Sequence, residues 1–151
     1  MSVPQGIVPL IKAFQLAQIS EQEYLLGLER AQAQCEQKKA QLMTSAVRAQ
    51  DRQDWEQIIR PGLLACLDVM AGAALEAREY VHQRDPQILE NIVMLFAQVD
   101  QATAMIEQRL GTVSSETKAL VGEILTDLQQ DSVQMTKNLK GSADTTISMF
   151  D

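Results

Sequence analysis

The apolar run LLACLDVMAGAALEA at residues 63–77, the middle of a stretch over 55–80, limits what this chain can become more than any other feature. Only Asp68 and Glu76 interrupt it. A helix that is apolar on nearly every side must be covered on several sides or lie in a bilayer. The run is short for a span and carries two acids, so it reads as the central helix of a bundle, with the other helices as its cover.

The rest of the chain offers helices for that cover and little else. The 151 residues are 46% hydrophobic but only 4% aromatic, with 7 Gly and 4 Pro, which favours helices over strands. No stretch alternates apolar and polar residues for long enough to form a strand. One domain over residues 1–140 accounts for this length, followed by a tail at 141–151.

Taken in order, residues 7–19 form a short apolar helix, with Pro4 and Pro9 near its start. Ser20 and Glu23 make a capping box that opens a second helix running to about Ala49. Its seam is Leu25, Leu28, Ala31 or Gln32, Cys35, Leu42, Ala46 and Ala49, weak where Lys38 and Lys39 fall. Residues 50–54 are polar and read as a turn, with Asp51 or Asp54 capping the central helix and Pro61 kinking it. Asp85–Pro86 stops that helix and starts the next. The fourth long segment, 86–110, carries a stripe of Ile88, Ile92, Leu95, Phe96, Val99, Ala102, Ile106 and Leu110, flanked by Leu89, Val93, Ala97 and Ala104. Gly111 is its expected stop. Ser114 or Ser115 caps a last helix, with the stripe Leu120, Val121, Ile124, Leu125, Leu128, Ser132, Met135 and Leu139, weaker after Leu128. The expected fold is all-α: an antiparallel up-and-down bundle of four long helices with a short extra N-terminal helix.

Signals for chemistry are sparse. Glu79 and His82 form a Glu-x-x-His unit, the spacing with which helical bundles hold metal, but such sites need a second unit and His82 is the sole histidine. A metal- or ligand-binding bundle using Glu79, His82 or the small residues Ala71–Gly72–Ala73–Ala74 is the alternative reading, and no cofactor is expected. Cys35 and Cys66 stand at similar distances from the turn, which suits a redox clip, yet no positive charge surrounds them to activate a thiolate, so they read as core residues. With one histidine and no glycine-rich turn there is no basis for a nucleophilic triad or a phosphate loop, and the expectation is a protein that is not an enzyme.

The net charge of −7, with 13 scattered basic residues against 20 acids, argues against nucleic acid and anionic membrane surfaces as partners, and the short, acid-bearing central run argues against membrane insertion. The start of the chain, MSVPQG, does not read as a signal peptide, and two cysteines exclude a disulfide scaffold, so a cytoplasmic location is expected. What remains is binding. Opposite the stripe of the fourth helix lie Gln87, Glu90, Met94, Gln98, Gln101, Met105 and Gln108, a face with one charge and two flexible thioethers that suits an adaptable protein contact. Ile147, Met149 and Phe150 in the tail suit a docking peptide. A protein–protein interaction module is therefore expected: an adaptor, chaperone-like module or assembly subunit. Its partner is another protein or a second copy in a homodimer, with Met94, Gln98, Gln101, Met105, Ile147, Met149 and Phe150 as contact residues.

Overall fold

A computed structural model describes residues 6–134, and side-chain surroundings through residue 129. The described chain is all-α, with no strand among those residues. Helix α1 is Ile7–Gln15, α2 is Glu21–Thr44, α3 is Ala49–Gln83, α4 is Pro86–Leu110 and α5 is Ser115–Gln134. The capping box of α2 forms as expected, Glu23 N donating to Ser20 Oγ at 3.1 Å and Ser20 N to Glu23 Oε1 at 2.9 Å. Asp85 caps α4 by accepting from Gln87 N at 2.9 Å, with Pro86 in the first turn.

Several boundaries differ from the sequence reading. The first helix stops at Gln15, because Ala17 takes a left-handed conformation (φ 55°) and turns the chain into the α2 cap. The second helix ends at Thr44, not near Ala49. There the Thr44 and Ser45 hydroxyls donate back to the carbonyls of Ala40 and Gln41, offering the chain an exit from the helix. Residues 45–48 then run without helix, so the break precedes the expected turn at 50–54. The third helix starts with a 3-10 turn at Ala49–Asp51, passes through a π turn at Trp55–Ile59 and becomes regular at Arg60–Gln83. Pro61 thus stands in the first turn of the regular segment, and the backbone irregularity lies just upstream of it. The fourth long helix does stop at Gly111, as expected, with that glycine right-handed (φ −63°); a left-handed helix end occurs at Arg84 (φ 45°), whose guanidinium lies 4.3 Å from the centre of the Phe14 ring.

The long apolar run does become the central element. Helix α3 packs against α2 on one side and α4 on the other, and α1 lies against α2, α3 and α5. Tyr24 meets Ala77 and Lys39 meets Asp68, so α2 and α3 run in opposite directions. The side chain of Ile106 lies against Gly62, which sets α4 antiparallel to α3 after the tight turn at 84–85. By length and apolarity alone α3 is long enough to cross a membrane. Its Leu63, Cys66, Leu67, Met70, Ala73, Ala74, Ala77 and Tyr80 are instead buried within the helical core.

An aromatic cluster locks the end of the core where α1 meets the start of α2. Phe14 stacks on Tyr24 with ring centres 4.4 Å apart, and Tyr80 meets Phe14 edge-on at 6.4 Å. Tyr24 is fully buried and its hydroxyl donates to the Ala77 carbonyl at 2.6 Å. Burial, with Tyr80 adding to it, pushes the Tyr24 phenol well above its usual ionisation range. The weak middle of the α2 seam is bridged by its lysines. Lys38 reaches Asp127 of α5 at 3.1 Å and Lys39 reaches Asp68 of α3 at 2.5 Å. Half-exposed pairs of this kind fix register more than they add stability.

Asp51 does not cap its own helix. Its carboxylate is buried and accepts from Ser114 N at 3.1 Å, Ser114 Oγ at 2.5 Å and Thr117 Oγ1 at 2.7 Å. The start of α3 thereby caps the start of α5 from 63 residues away. These hydrogen bonds, from Ser114 and then Thr117, hold the Asp51 carboxyl below its usual range. A carboxyl depressed in the folded state stabilises the fold above its unfolded pKa of about 4, and that stabilisation is lost as pH falls through the folded value. The melting temperature of the wild type should therefore drop more steeply below about pH 4 than that of Asp51→Asn, which is already weakened at neutral pH. Parallel acid profiles for the two proteins would contradict the tie.

Candidate functional site

The outer face of α4 is set by what its inner face buries. Ile88, Leu89, Ile92, Phe96, Val99, Thr103 and Ile106 point into the core. Thr103, a polar residue absent from the expected stripe, is satisfied within its own helix by donating to the Asp100 carbonyl at 3.0 Å. Rotated by half a turn are Met94, Gln98, Gln101 and Met105, all exposed. Their steps of four, three and four residues keep them in one line along the helix. Met94 is 63% exposed and Met105 66%, more than any other large apolar side chain among the described residues. None of the described ion pairs involves this line.

The flanking line of Leu89, Val93, Ala97 and Ala104 suggests contact with a second neighbour. Leu89 is buried and Val93 half-buried, but Ala97 and Ala104 are exposed. Short side chains there leave room for another backbone to approach beside the methionines. The candidate tail residues Ile147, Met149 and Phe150 lie outside the described residues.

The signals for chemistry are scattered. Glu79 and His82 both lie on the exposed side of α3, and no group of three or more His, Cys, Asp or Glu that could hold a metal occurs among the described residues. Of the small-residue patch, Ala73 and Ala74 are buried in helix packing, while Ala71 and Gly72 are half-buried. A Cβ added at Gly72 would meet nothing within 4 Å, so close contact with a neighbouring element does not explain that glycine. Cys35 and Cys66 are buried and free of a disulfide. Burial raises the Cys66 thiol to about 11, which keeps it protonated and unreactive at neutral pH. The perturbed carboxyl of Asp51 is engaged by Ser114 and Thr117 in the cap of α5, a structural role that accounts for its shift.

No protein-family model, curated protein or solved structure matches this chain. The surface itself therefore carries the functional reading.

Proposed function

We propose that this protein is a non-enzymatic interaction module, an adaptor, chaperone-like module or assembly subunit of the cytoplasm, and that it associates with a second copy through the outer face of α4. The platform this reading assumes is an antiparallel up-and-down bundle of four long helices with the short N-terminal helix. The observation that carries it is the exposure of Met94 and Met105 on an otherwise uncharged line with Gln98 and Gln101. Two molecules that each carry a formal charge of −7 repel one another over most of their surfaces. A line without charge lets two copies meet with little of that repulsion, and thioethers adapt to the surface they meet. Its four- and three-residue steps are those of helix–helix seams, in which a second α4 can lie against the first. On sequence alone, Ile147, Met149 and Phe150 belong to the same role as a docking segment.

The test is a pair of charges placed on the line. Met94→Lys with Met105→Lys leaves the core untouched, because both side chains are mostly exposed. The variant is expected to weaken dimerisation by about a hundredfold or more, since it buries four cations across a two-fold interface. Sedimentation equilibrium over a concentration series reads this directly, and an unchanged association constant would remove α4 from the contact.

A further inference from the structure

A second surface, built by α2 and α3, has different chemistry. Leu26 and Leu75 are 45% and 50% exposed, and half-buried Leu25 lies in both of the shallow depressions that they line. Leu26 lines the first, with Glu21 and Glu29, and Leu75 lines the second, with Glu76 and Glu79. Arg78 borders both, and His82 borders the second. The result is a ridge of three leucines edged by four carboxylates, none of which forms an ion pair with any described residue.

We infer that this ridge docks a cationic amphipathic helix from a partner protein, its apolar stripe on the leucines and its Lys or Arg side chains on the carboxylate edges. The inference rests on reading the protein as an interaction module, but uses a face other than that of α4. Charge selects the occupant. A second copy would bring its own acidic edge against this one, and an anionic lipid surface would be repelled by it. An acidic or neutral helix would satisfy the leucines and leave the carboxylates without counter-charge. A helix with Leu every three or four residues and Lys between them satisfies both, in the manner of a helix laid along a groove between two others. Positive ends also steer such a segment toward the acidic edge, so association is faster at low salt.

The experiment uses the full chain and three labelled synthetic peptides, read by fluorescence anisotropy. The first carries Leu at i, i+3, i+4 and i+7 over two repeats with Lys elsewhere. The second has the same composition in an order that destroys the stripe, and the third replaces Lys with Glu. The striped Lys peptide should bind about tenfold tighter than the scrambled one, and the Glu peptide should bind weaker still. Leu26→Gln with Leu75→Gln should weaken the striped peptide about tenfold, with helicity unchanged because both residues stand outside the core. Glu76→Gln with Glu79→Gln should weaken it and reduce its salt dependence. Equal affinity for striped and scrambled peptides, equal affinity for the Glu peptide, or affinity untouched by the leucine pair would each overturn the ridge. The Met94→Lys, Met105→Lys variant separates the two surfaces. It should bind the striped peptide as the wild type does, so peptide binding that fails while dimerisation through α4 stands counts against the ridge alone.

Discussion

Replacing Trp55 with alanine is expected to remove about 3–5 kcal/mol of folding stability, a large share of the roughly 5–15 kcal/mol that holds a domain of this kind together. Trp55 is the largest fully buried side chain, and it stands in the π turn at the base of α3, in a segment that packs against α4. An alanine there empties a volume that its neighbours, held by helix backbones, can refill only in part. Trp55→Phe keeps most of the apolar volume and discards an indole N–H that finds no acceptor among the described residues. It should cost under about 2 kcal/mol. Urea unfolding of the three proteins, followed by helical circular dichroism, gives both differences. Equal losses for alanine and phenylalanine would mean that indole polarity matters more than volume, contrary to this account.

Gly27→Leu is expected to separate α1 from α2, with a loss of about 3 kcal/mol. Gly27 is buried on the inner side of α2, and a Cβ there would lie 2.5 Å from Cδ2 and 2.9 Å from Cδ1 of Leu10. Leu10 is itself fully buried, so it has no free space into which to withdraw. The better helix propensity of leucine offsets only about 1 kcal/mol of the overpacking. Leu10→Ala should be damaging alone but should restore part of the stability of Gly27→Leu, because it opens the space the new side chain needs. Strictly additive effects in that cycle would show that the two residues do not share a site.

Much of the architecture is legible in the sequence, because strong local signals agree with tertiary packing. The capping box at Ser20, the Asp85–Pro86 restart and the stripe of α4 each specify local structure without help from distant residues. The misread positions are those whose partners are far along the chain. Asp51 looks like a local cap, yet its acceptors serve Ser114 and Thr117. Gly27 lies unnoticed among the helix formers of α2, and the need for it is visible only beside Leu10. Lys38 and Lys39 look like a flaw in a seam until Asp127 and Asp68 stand opposite.

The surfaces divide in the same way. Periodicity alone marks the outer line of α4, since everything that defines it lies on one helix. The leucine ridge escapes a sequence reading because it joins Leu25 and Leu26 to Leu75 across two helices, and Leu25 by itself reads as seam. The motif at Glu79 and His82 falls beside that ridge, and no ring of ligands surrounds it among the described residues. Its carboxylate then has a simpler use as part of an acidic edge.

Native mass spectrometry of the full-length wild type and of the Met94→Lys, Met105→Lys variant tests the central claim most directly. Self-association through α4 predicts a dimer with no added mass for the wild type and a monomer for the variant at the same concentration. A wild type that is monomeric throughout, or an oligomer that survives both charges, would contradict it.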